Sequence, residues 1–107
     1  MKGHNIGEFE ELLMLMTGVL QREAYGVNIQ REIKSKLDRD VSLSAIHITL
    51  YRLEDKGYIS SYLGEATSVR GGRKKRIFEL TQAGWAILQA VQEKRTKLWQ
   101  LIPGFNS

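Results

Sequence analysis

Apolar residues recur along this 107-residue chain first at helical spacing, then at strand spacing, then at helical spacing again. Phe9, Leu12, Leu13, Met16, Val19 and Leu20 form one stripe and predict a helix over about residues 7–21, with Asn5 and Glu8 supplying its start. Met14 and Leu15 widen the apolar surface beyond that stripe, as expected of a helix that touches two bodies. After the break at Ala24, Tyr25 and Gly26, the positions of Ile29, Ile33 and Leu37 mark one face of a second helix, roughly 27–37. A third helix follows the polar connection Asp38, Arg39, Asp40. Ser42 or Ser44 can cap it, Leu43, Ile46, Leu50 and Leu53 share a narrow arc, and Gly57 suits its left-handed end.

The period then changes. Residues 58–63 and 76–80 are rich in aromatic and branched side chains and read as two strands, joined by a loop that holds Gly71 and Gly72. Thr81 can cap a last helix that runs to about Ile102, before Pro103 and Gly104 stop it. Three helices, a hairpin and a final helix predict a mainly α fold with a small β-hairpin. That is a winged helix-turn-helix with a C-terminal dimerisation helix added. Residues 1–80 form the winged-helix part and residues 81–107 the last helix and tail, within one compact domain.

The third helix carries the candidate chemistry. Opposite its apolar arc lie Ser44, Ile48, Tyr51 and Asp55, flanked by His47 and Arg52. Hydroxyls, an imidazole, a guanidinium and an apolar tip can bond phosphates and base edges and touch a thymine methyl. Asp55 would repel phosphate, so the N-terminal half of the helix is the part expected to enter a groove. Each residue also has an ordinary use: Tyr51 could pack over the hairpin, His47 could sit plainly on the surface, and Arg52 could pair with its acidic neighbours.

Charge sharpens this picture. The formal net charge is +4, and Arg70, Arg73, Lys74, Lys75 and Arg76 cluster without an acid among them, which leaves the rest of the chain near neutral. A cationic loop on a neutral body points to a localised anion contact, although a merely solvated hairpin would share the composition. Arg70, Arg73 and Lys74 are the loop residues expected to meet DNA, arginine suiting the minor groove and lysine the phosphates.

Other chemistries find little footing. Cysteine is absent, which excludes disulfides and thiolate zinc sites, and His4 and His47 are far apart in sequence. No phosphate-loop or nucleophile-elbow spacing occurs, so neither an enzyme nor a metal or other cofactor is expected. The chain has no apolar run of about eighteen residues, and its first residues include an acid before any apolar stretch. A cytoplasmic protein without a membrane segment is the expectation.

The last helix carries Ile87, Leu88, Val91, Leu98, Trp99 and Ile102, a stripe longer than a small domain's own core requires. It is expected to build a homodimer in which Leu88, Val91, Leu98, Trp99 and Ile102 meet Phe9, Leu12, Leu13 and Met16 of the partner's first helix. A winged-helix dimer that binds another protein and leaves DNA alone is the rival reading.

Several blocks resemble the PadR family of transcriptional regulators. They are Gly7-Glu8-Phe9-Glu10-Glu11-Leu12, Glu23-Ala24-Tyr25-Gly26-Val27, Asp40-Val41-Ser42-Leu43-Ser44-Ala45-Ile46, Thr49-Leu50-Tyr51-Arg52-Leu53-Glu54-Asp55-Lys56-Gly57, Gly71-Gly72-Arg73-Lys74-Lys75-Arg76 and Leu80-Thr81-Gln82-Ala83-Gly84. The resemblance spans about Gly7 to Leu88, in order and with matching spacing. It implies a dimeric winged-helix repressor acting at palindromic operators in double-stranded DNA, of the short type with one helix after the wing. His47 stands where the family commonly has tyrosine, and Ile48 where it has proline or threonine, so the operator sequence does not carry over. Some short relatives hold flat aromatic molecules between tryptophans at the dimer centre. Met16 and Trp99 are the candidates here for such a small aromatic effector, although Trp99 could simply pack the interface or cap the end of the domain.

Overall fold

A computed structural model describes residues 5–65 and 74–104. Its elements are α1 (Glu8–Leu20), a 3-10 turn (Gln21–Glu23), α2 (Gly26–Leu37), α3 (Leu43–Asp55), β1 (Ile59–Leu63), β2 (Arg76–Leu80) and α4 (Gln82–Leu101). The fold is mainly helical, with one antiparallel hairpin in the register Ile59↔Leu80, Ser61↔Phe78, Leu63↔Arg76.

Local chemistry sets most of the boundaries. The Ser42 hydroxyl accepts the Ala45 N–H at 3.0 Å and opens α3. Gly57 ends it at φ +83°, a conformation that costs glycine little. The Thr81 hydroxyl accepts the Gly84 N–H at 3.0 Å to open α4 and donates to the Gly57 carbonyl at 2.6 Å, so one side chain joins two helix ends. The start of α1 differs from the expectation at Asn5. Gly7 is its N-cap, and because glycine has no side chain to cap with, Glu10 reaches back and accepts the Gly7 N–H at 2.9 Å.

The core is made where the three helices meet the hairpin. Leu13 and Met14 of α1, Ile29 and Ile33 of α2, Ile46, Leu50 and Leu53 of α3, and Phe78 of β2 are fully enclosed. On α1 the buried residues are Glu10, Leu13, Met14, Met16 and Thr17, so the buried face is shifted from the expected stripe. Met14 is inside, while Val19 is 61% exposed. Leu37 was also expected inside, but the left-handed turn at Asp38 (φ 52°) ends α2 and leaves it on the surface. Trp85 is half exposed and lines a shallow cleft with Leu80 and Tyr62 of the hairpin. It follows Gly84, whose face of α4 is the one turned to the domain.

Only Gly84 and Leu88 of α4 are buried, and residues 92–101 are all exposed. A 20-residue helix is about 30 Å long, so its second half runs clear of the protomer core. The Arg95 guanidinium meets Glu11 at 2.8 Å and holds α4 alongside α1 on the way out. Among the described residues no helix is long and apolar enough to cross a membrane.

A partly buried ion pair ties α1 to the end of α3. Glu10 lies inside, and its carboxylate accepts from the Lys56 ammonium at 2.9 Å as well as from Gly7. Burial pushes the Glu10 carboxyl up, but the Gly7 N–H, the Lys56 ammonium and the Arg52 charge together outweigh it and hold the group below its ordinary value. A carboxyl lowered by folding contributes stability that is present above its unfolded value, near 4.5, and is lost as pH falls through the folded value. Glu10→Gln is therefore expected to cost about 1–2 kcal/mol at pH 7 and to flatten the loss of stability below about pH 4.5. Urea unfolding at pH 7 and pH 3.5 checks this. An unchanged difference between the two pH values in the variant would count against it.

Candidate nucleic-acid interface

The outward edge of α3 stays outside the protomer. Ser44 and Arg52 are exposed, Ile48 is 60% exposed and Tyr51 47%. The helix presents these four because its opposite arc, Ile46, Thr49, Leu50 and Leu53, is spent on the core. His47 is half-buried, its ring lying against Gly26 at the start of α2. The His47 and Tyr51 rings stack, with centroids 6.1 Å apart and planes 21° apart. Tyr51 in turn meets Phe78 of β2 edge-on at 5.9 Å. Tyr51 therefore packs against the hairpin, as one of its expected uses has it, while about half of the residue stays in solvent.

The base of the hairpin continues this face. Lys74 is exposed, and the Lys75 ammonium sits 5.0 Å above the Tyr25 ring, next to Gly26. Arg76 is turned to other work: its guanidinium donates to the Ser61 hydroxyl at 3.1 Å, which donates to Glu54 at 2.9 Å. Arg70 and Arg73, with Gly71 and Gly72, lie outside the described residues. A cleft of about 730 Å³ runs along the hairpin base between Tyr25, Tyr62, Arg22 and Lys75. Arg22 and Tyr25 were not among the expected contacts. Nothing local marks them, since their partners come from residues far along the chain.

Lys75 thus rests on Tyr25, the chain neighbour Gly26 lies under His47, and His47 stacks on Tyr51, which is backed by the buried Phe78. The resulting surface carries cations at one end and mixed hydrogen-bonding and apolar tips at the other. Such a surface can neutralise phosphates and read base edges together.

The residues expected at a dimer interface divide into two groups. Leu98, Trp99 and Ile102 are 64%, 55% and 51% exposed, joined by Leu101. Val91 and Leu12 are half-buried, as is Phe9, whose ring lies 5.4 Å under the Arg39 guanidinium. Leu13, Met16 and Leu88, by contrast, are buried within the protomer and offer a partner almost no surface. Met16, a candidate for the effector site, is thus 6% exposed in the protomer. Leu15 and Val19 stand exposed on the outer side of α1 instead. Beside α4 lies an apolar groove of about 910 Å³, lined by Ile6, Ala83, Ile87, Ala90, Val91 and Leu98 among others.

None of the curated proteins compared matches the chain. Among solved structures, it is similar to a PadR-like transcription factor from Bacteroides fragilis, with 24% identity and a TM-score of 0.69, covering 84% of this chain and 82% of that one. A PadR family transcription regulator from Clostridium difficile shows 22% identity and a TM-score of 0.64 over 92% of this chain and 99% of that one. Bacillus subtilis PadR in complex with operator DNA shows 20% identity and a TM-score of 0.64 over 82% of this chain and 48% of that one. These likenesses establish the winged-helix architecture. The model of the transcriptional regulator PadR-like family matches residues 13–90, which takes in α2, α3, the hairpin and half of α4. With most of its length matched in this way, the chain belongs to the PadR-like family of transcriptional regulators.

Proposed function

We propose that this protein is a homodimeric, sequence-specific DNA-binding regulator that represses transcription at a palindromic operator. The observation that carries the reading is the surface from Lys75 through Tyr25 and His47 to Tyr51, which joins a cationic hairpin base to the open edge of α3. Ser44, His47, Ile48, Tyr51 and Arg52 read base edges in the major groove, while Lys74, with the charges of Arg70 and Arg73, binds phosphates and the adjoining minor groove. Bacillus subtilis PadR, similar in fold, is seen with operator DNA, which supports the same partner here. Residues 1–80 serve as the reader and residues 81–107 as the dimerisation piece. The exposed Leu98, Leu101 and Ile102 form an apolar patch at the end of α4 that suits a second copy. Of the two residues expected to hold a flat aromatic effector, only Trp99 is open, so a ligand response would run through the end of α4.

Selection of bound sequences from random duplex DNA tests the reading. A consensus with two-fold symmetry is expected, its half-sites about ten base pairs apart, and placing it at a promoter should lower reporter output. The double variant Leu98→Asp, Trp99→Ser should sediment as a monomer and lose the symmetric consensus. If no sequence is enriched in dilute buffer, the DNA reading falls and the protein-binding alternative takes its place.

A further inference from the structure

Gly26 has no conformational reason to be glycine. It is the first residue of α2, and the described glycines with positive φ are Gly57 and Gly104 only. What forbids a larger residue is a neighbour. A Cβ at position 26 would fall 2.4 Å from Nε2, 2.7 Å from Cε1 and 3.3 Å from Cδ2 of His47, so the imidazole lies directly over the Gly26 backbone. From there the contacts close into a ring. His47 stacks on Tyr51, Tyr51 meets Phe78, and the Phe78 N–H donates to the Ala24 carbonyl at 2.9 Å, two residues before Gly26.

We propose that Gly26 is a specificity-determining residue that touches no base: the missing Cβ is the seat that fixes the His47 imidazole and, through the stack, the Tyr51 ring on the reading edge of α3. The inference rests on the DNA-reading role proposed above. Preorganisation is the physical reason. A side chain already held in its reading position loses less rotamer freedom on binding, and two rings held together present one fixed pattern to the groove. The obstacle to a Cβ is the far end of a side chain with two rotatable bonds, not backbone. Alanine at this helical position should therefore leave the fold intact and displace the imidazole.

The test compares Gly26→Ala, His47→Ala and the double variant in two measurements. The first is NMR of the DNA-free dimer. The parent should show contacts between the His47 and Tyr51 ring protons, and Gly26→Ala should lose them. The second is selection from random duplexes. Gly26→Ala should relax the consensus at the same base pairs as His47→Ala and weaken the preferred sequence about ten-fold, with unchanged salt dependence. The double variant should behave like His47→Ala alone, because without the imidazole the extra methyl meets nothing. Three results overturn the inference: persistence of the ring contacts in Gly26→Ala, a parental consensus in Gly26→Ala when His47→Ala has altered it, or failure of Gly26→Ala to fold in either background. A parent that selects no consensus instead defeats the DNA reading itself, and this inference with it, whatever the ring contacts show.

Discussion

Raising salt from 50 to 200 mM should weaken operator binding about a thousand-fold. The expectation follows from the charges on the proposed reading face. Each protomer brings Arg52, Lys74 and Lys75 among the described residues, and Arg70 and Arg73 add to them from the loop sequence. If three of these meet phosphates in each half of a dimer, about six counterions leave the DNA, and affinity then falls with about the fifth power of salt concentration. Replacing Arg73 and Lys74 with glutamate should reduce affinity for every duplex alike and make the salt plot shallower. Tyr51→Ala should instead change which duplex is preferred while leaving the slope nearly unaltered. Fluorescence anisotropy across a salt series separates the two. A slope near that of one or two contacts would mean that the hairpin does not carry the binding.

Gly84→Ala should destabilise the fold by about 3 kcal/mol, the largest effect expected of a methyl group added at any of the described glycines. Alanine is the better helix former by about 1 kcal/mol, so the intrinsic effect favours the variant. Packing decides the other way. A Cβ at position 84 would stand 2.2 Å from the Tyr58 carbonyl oxygen and 3.1 Å from its carbon. That carbonyl cannot swing aside, because it accepts the Thr81 N–H at 3.1 Å while the Thr81 hydroxyl holds the neighbouring Gly57 carbonyl. Relief requires α4 to lift off the hairpin, which gives up the burial of Leu88 and shifts the whole proposed dimerisation arm. Gly18→Ala is the control. Its Cβ would lie 3.2 Å from the Leu80 Cδ1, the end of a side chain that can turn away, so the cost should stay below about 1 kcal/mol. In thermal unfolding the first variant should melt more than about 10 °C below the parent. Equal melting of the two variants would show that the contact at Tyr58 is not rigid.

The elements themselves were legible because their signals are local. Ser42 and Thr81 cap through hydrogen bonds three residues long, Gly57 stops α3 one residue after its last turn, and strand and helix differ in period. The polar edge of α3 was legible for the same reason: its apolar arc is narrow, so the remainder must face outward. The winged-helix order and the exposed side of α3 were thus determined by the sequence alone. Tertiary structure decided which of two overlapping arcs on α1 goes inside. Met14 and Val19 are both apolar, and only the positions of α3 and the hairpin select the first. It also decided that Leu13, Met16 and Leu88 belong to the protomer, that Lys75 rests on Tyr25, and that Gly26 lies under His47. Helical period fixes which residues share a face, but a neighbour from a distant part of the chain fixes what that face meets. No pattern within one element contains that information.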